Sequence, residues 1–105
     1  MNDKMSEGFQ LIQNIFRKKW IPEIIDSIAS GNSSYTEIAA SIEYISQTEL
    51  NRKLSVLQAS DVIMKRSVDG KVGYYITPFG NDLNHIFNHF IEISDKYISK
   101  TSTSK

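Results

Sequence analysis

The sequence contains no cysteine, which removes a disulfide scaffold, a thiolate nucleophile, a Cys-ligated zinc finger and any thiol redox sensor at once. It also lacks net charge, because twelve Lys and Arg balance twelve Asp and Glu. No global field therefore draws the chain onto nucleic acid or an anionic membrane, and such binding has to come from local clustering of charge. Long apolar runs are missing too. No uncharged stretch approaches the roughly 20 residues of a membrane span, and the start Met1-Asn2-Asp3-Lys4 is not followed by the apolar core of a signal peptide. The expectation is a soluble, cytoplasmic protein with no membrane partner.

What is present suits one small domain. The chain has 105 residues, a 40% hydrophobic share with five Tyr, five Phe and one Trp, and a 23% charged share, which together support a core inside a solvated surface. A single domain is expected over residues 1–105, with an ordered core at 7–98 and a flexible tail at 99–105 that has nothing to bury. Without disulfides its stability must come from packing, helped by oligomerisation.

Phe9, Ile12, Ile15 and Phe16 recur at the helical period and predict a first helix over Glu7–Arg17. Trp20, Ile21, Ile24, Ile25 and Ile28 predict a second, starting near Lys19, with Pro22 in its first turn and Gly31 as a left-handed cap beyond its end. Ser34 and Glu37 have the form of a capping box before a short third helix, Tyr35–Ser41. Ser46 and Glu49 repeat that form before a fourth, from Gln47 to about Ala59, whose Leu50, Leu54 and Leu57 share one face. The joint between these two helices is short enough for a helix-turn-helix. Around Asp69-Gly70, the β-branched and aromatic runs Val62–Val68 and Lys71–Ile76 predict a hairpin. Thr77-Pro78 then opens a fifth helix carrying Leu83, Ile86, Phe87, Phe90, Ile93 and Tyr97.

This order of elements is that of an α+β, mostly helical winged helix-turn-helix with a two-stranded wing. Lys19-Trp20, Tyr35-Thr36-Glu37-Ile38, Ile45-Ser46-Gln47 leading into Leu50, Leu54 and Leu57, the pair Val62-Ile63, and Val72-Gly73-Tyr74-Tyr75-Ile76-Thr77 before Gly80 resemble the HxlR-type bacterial transcriptional regulators. The resemblance spans roughly Glu7 to Tyr97 and rests on the order and spacing of these pieces. It implies a homodimeric DNA-binding regulator whose first and last helices form the dimer. The chain departs from the family at three places. Ser6 and Glu7 stand where family members usually carry a cysteine, so thiol sensing does not transfer. Ser60-Asp61 replaces the usual Asp-Gly between recognition helix and hairpin. The wing turns on a bare Asp69-Gly70 where the family's is longer and contains proline, so it should reach less far along DNA.

With Leu50, Leu54 and Leu57 inward, Thr48, Arg52 and Ser55 point outward with Asn51 beside them. Arg can bond guanine bidentately, Asn adenine, and Thr can touch a thymine methyl, so these side chains suit base readout. Ser46, at the start of the helix, joins them as a candidate contact, and Gln47 and Lys53 lie on the shoulders, where phosphate is the more natural partner. Lys65, Arg66 and Lys71 place three cations on the hairpin and suit the backbone as well, although Lys on an edge strand also guards against aggregation. Arg17, Lys18 and Lys19 could grip phosphate or simply compensate the first helix's dipole. Phe9, Ile12, Phe87, Ile91 and Ile98 are the expected dimer interface.

No phosphate-binding glycine loop, HExxH motif or nucleophile elbow occurs, so catalysis is not expected, and no cofactor is implied. His85 and His89, with Asp82 and Glu92, form a stripe that reads as exposed polar surface rather than a metal site, since a fourth ligand would have to come from elsewhere. Trp20, Phe9 and Phe16 could line a pocket for a planar effector, but aromatics at helical spacing usually belong to a core. The competing class is a winged-helix interaction module that dimerises or binds protein through its first and fifth helices without reading DNA, and the balanced charge keeps that class open.

Overall fold

A computed structural model describes residues 3–99. Its order is α1 (Asp3–Arg17), α2 (Ile21–Ala29), α3 (Tyr35–Ser41), α4 (Gln47–Ala59), β1 (Ile63–Val68), β2 (Lys71–Ile76) and α5 (Pro78–Ile93), and α5 runs directly into a π-helical stretch, Ser94–Ser99. Apart from Ser99, the expected tail lies outside the described residues.

The core is aliphatic. Ile21, Ile24 and Ile25 of α2, Ile38 of α3, Leu50, Leu54 and Leu57 of α4, Val62 and Leu83 are almost wholly removed from water. Burying each such side chain contributes roughly 1.5–3 kcal/mol, which is how a domain without disulfides holds together. Ile15 joins this core from α1, and Ile12 and Phe16 pack against it. Phe16 also meets α5, with ring centroids 6.1 Å from Phe87 and 6.4 Å from Phe90.

Local signals set the element ends. Trp20 has φ 76° and caps α2 without a side-chain hydrogen bond, so the helix starts at Ile21, two residues later than the apolar period suggests. The left-handed residue turns the chain between α1 and α2, which a periodicity argument cannot see. At the other end Gly31, at φ 112°, donates its N–H to the Ile28 carbonyl and Asn32 donates to that of Ser27, the Schellman closure. Ser34 and Glu37 form the expected capping box. Two backbone N–H groups, of Ser33 and Ser34, donate to the Glu37 carboxylate and hold it below the usual glutamate range.

The second expected capping box is only half made. Ser46 Oγ accepts from the Glu49 N–H at 3.1 Å, but the Glu49 carboxylate turns along α4 to Lys53 instead of back to the cap. Ser27, buried on α2, shares hydrogen bonds with Ser41 Oγ at 2.7 Å and Asn32 Nδ2 at 3.0 Å, tying α2 to the end of α3.

The hairpin has the predicted two-residue turn: Val68 pairs with Lys71, and Asp69 and Gly70 both have positive φ, at 53° and 78°, as a type I′ turn requires. Ser33 accepts from the Tyr74 N–H at 2.8 Å, fastening β2 to the loop before α3. Thr77 Oγ1 donates toward the Asp61 and Val62 carbonyls and accepts the Gly80 N–H, so one side chain seats the base of the wing and caps α5.

Candidate nucleic-acid interface

The face of α4 opposite Leu50, Leu54 and Leu57 consists of Thr48, Asn51, Arg52 and Ser55, all exposed. This is the arrangement that the leucine spacing predicts. Ser46 is occupied as the N-cap of α4, although its residue is exposed. Gln47 is exposed, and its carbonyl accepts from Tyr35 Oη at 3.3 Å, which pins the entry of α4 to the first residue of α3.

The cations of α4 are not equivalent. Lys53 Nζ lies 3.1 Å from the Glu49 carboxylate and its side chain is only 12% exposed. Arg52 Nη1 lies 4.0 Å from that carboxylate and its side chain is 66% exposed. Arg52 is therefore accessible, whereas Lys53 is held along the helix.

Pairing in the hairpin divides its three cations between two faces. Side chains alternate along a strand and directly paired residues share a face. Lys65 pairs with Tyr74 and Ile63 with Ile76, so Lys65 lies on the face whose base joins the core, with its Nζ 5.7 Å from the Tyr74 ring centroid. Arg66, paired with Gly73, and Lys71, paired with Val68, lie on the opposite face. There Tyr75 covers Gly73 so closely that a Cβ at Gly73 would come within 3.0 Å of the tyrosine hydroxyl.

Tyr44 is the feature that sequence reading missed. It occupies the turn between α3 and α4 at φ 70° and is 92% exposed. Its neighbours gave the signal, since Ile42 is buried and Ile45 packs on the core, which leaves a lone aromatic at the apex.

Elsewhere, α1 and α5 present apolar surface around a groove of about 590 Å³ between Phe9, Ile12, Phe16, Ile86 and Phe90. Of the expected interface residues, Phe9, Ile91 and Ile98 are exposed, while Ile12 and Phe87 are half-buried and packed within the chain. Arg17, Lys18 and Lys19 are exposed; Arg17 Nη2 donates to Asn14 Oδ1 at 3.3 Å, and Lys19 Nζ sits 5.0 Å from the Trp20 ring centroid. His89 Nδ1 lies 3.3 Å from Glu92 Oε1. Among the described residues no three His, Asp or Glu gather as a metal site, and no helix is long and apolar enough to cross a membrane.

The model of the HxlR-like helix-turn-helix family matches residues 15–102. No curated protein matches the chain significantly. Among solved structures, the reduced form of the transcriptional regulator YodB from B. subtilis is 26% identical, with a TM-score of 0.75 over 93% of this chain and 95% of that one. A proposed HxlR-family transcriptional factor from Thermoplasma volcanium GSS1 is also 26% identical, with a TM-score of 0.64 over 81% of this chain and 82% of that one. The fold extends to a protein assigned to the MarR family from Enterococcus faecalis V583, at 18% identity and a TM-score of 0.80 over 98% of this chain and 94% of that one.

Proposed function

This chain belongs to the HxlR-like helix-turn-helix family of transcriptional regulators, and from that premise we propose that it is a homodimeric, sequence-specific regulator of double-stranded DNA in a bacterial cytoplasm. In this reading α4 enters the major groove, with Thr48, Asn51, Arg52 and Ser55 toward base edges, Ser46 at the start of the helix, and Gln47 and Lys53 on its shoulders. The wing lies on the flanking backbone through Arg66, Lys71 and Lys65. The observation that carries the reading is the polar face of α4, free of the core along Thr48, Asn51, Arg52 and Ser55. Two such helices related by a two-fold axis would meet successive major grooves about 34 Å apart.

YodB has been solved diamide-treated and quinone-bound. The present chain has no cysteine, so whatever signal it answers does not act through a thiol. The proposal makes it a regulator and not an enzyme.

Fluorescence anisotropy against fragments of the host genome at two salt concentrations tests the proposal. A protein that neutralises phosphates loses affinity steeply as salt rises. Absence of salt-dependent binding would leave the interaction module, which the apolar surface of α1 and α5 favours.

A further inference from the structure

Tyr44 is an aromatic side chain with no partner among the described residues. Among the described residues none hydrogen-bonds to it or stacks on it, and at 92% exposure it is the most exposed large apolar side chain on the described surface. Its backbone is left-handed at φ 70°, a conformation that glycine adopts freely and a bulky residue rarely does. Neither packing nor backbone preference accounts for a tyrosine here.

Its position is firmly set. The buried Ile42 and the packed Ile45 anchor the turn on either side, and Ser46 caps α4 two residues later. The apex therefore cannot swing away without drawing an isoleucine out of the core.

We infer that Tyr44 is a DNA-contact residue, laying its ring against the sugar of the strand bordering the major groove and donating its hydroxyl to a phosphate. The inference rests on the proposal that α4 enters that groove. When a recognition helix docks, its N-terminal end lies at the base edges. A residue two positions before the cap is then within about 7 Å of chain from that end, less than the roughly 12 Å width of the major groove. Tyrosine suits that wall, because its ring offers apolar area to the sugar and its hydroxyl is a regular phosphate donor. Being neutral, it adds affinity without adding to the salt dependence.

The test compares wild type, Tyr44→Gly and Tyr44→Phe on two duplexes: one enriched by the wild-type protein from a random-sequence library, and a scrambled duplex of the same length. Tyr44→Gly relieves the backbone, so its thermal midpoint should be no lower than that of wild type, and lost binding cannot then be put down to unfolding. It should bind both duplexes about tenfold more weakly with an unchanged salt slope, and Tyr44→Phe about threefold more weakly. A folded Tyr44→Gly that binds the enriched duplex like wild type would overturn the assignment alone and turn Tyr44 toward a protein partner. If the wild-type protein enriches no sequence and binds neither duplex, the regulator reading falls first and Tyr44 goes with it.

Discussion

Glu49 holds Lys53 along α4, carboxylate oxygen to Nζ at 3.1 Å, while the more exposed Arg52 stands at the edge of the same carboxylate at 4.0 Å. One acid thus divides its attraction between two cations that sequence reading assigned to DNA. A helical pair spaced four residues apart is worth about 0.3–0.5 kcal/mol, so its larger effect falls on binding. The carboxylate lies close to where phosphates would pass, and it occupies a lysine that could otherwise meet one.

Replacing Glu49 with Gln should therefore tighten binding to any duplex and steepen the salt dependence by roughly one unit, as Lys53 becomes free to neutralise a phosphate. Thermal stability should change by less than about 0.5 kcal/mol. Anisotropy titrations across a salt series read the slope directly. A slope equal to that of wild type would put Lys53 outside the interface.

The wing invites a finer comparison, because its cations occupy two faces. Arg66→Ala and Lys71→Ala, on the outer face, should weaken enriched and scrambled duplexes alike and flatten the salt slope by roughly one unit each. Lys65→Ala, on the face shared with Tyr74, should have the smallest effect of the three. Arg52→Ala should behave differently from all of them, costing about 1–3 kcal/mol on the enriched sequence and much less on the scrambled one. Equal losses for Arg52 on both sequences would make it a phosphate contact instead of a base reader.

Much of this geometry is written in short-range chemistry. Ser34 with Glu37, the Asp69-Gly70 turn and the Thr77-Pro78 entry to α5 each need only a few neighbouring residues, and each appears where the sequence places it. The leucine spacing of α4 likewise leaves Arg52 outward. Features decided by competition are less legible. Glu49 can reach back to the cap backbone or forward to Lys53, and the sequence does not say which wins. An apolar period runs unbroken through both the left-handed Trp20 and the π-helical end of α5, so periodicity reveals neither. The split of wing cations was available from strand alternation once the register was known.

Gly80 should be the least replaceable residue outside the aliphatic core. It is buried at the start of α5, and a Cβ there would collide with the Val62 carbonyl oxygen and crowd the Ile76 side chain. Backbone cannot give way as a flexible side chain can, and that carbonyl already accepts from Thr77. Gly80→Ala should thus destabilise at least as strongly as Leu54→Ala, for which losing a buried leucine side chain costs about 2–5 kcal/mol. Urea unfolding of the two variants gives the comparison. A Gly80→Ala protein of wild-type stability would show that α5 can move off the base of the wing.

The proposed dimer rests on the apolar surface of α1 and α5. Phe9, Phe90, Ile91 and Ile98 are all exposed on α1, α5 and its π-helical continuation, more apolar surface than a small monomer ordinarily leaves to water. A second copy related by a two-fold axis would cover it with the same residues. Sedimentation at micromolar concentration should therefore give twice the 12.0 kDa of the chain. Phe90→Asp should shift the population to monomer, because an aspartate would have to be buried without a partner. The monomer should keep its helical circular dichroism, since Phe90 is 55% exposed within the chain. It should nevertheless lose affinity for a two-half-site duplex far more than for a single half-site, the mark of lost bivalency. A wild-type protein that sediments only at 12.0 kDa would end the two-half-site geometry and require one copy of α4 to supply all the base contacts.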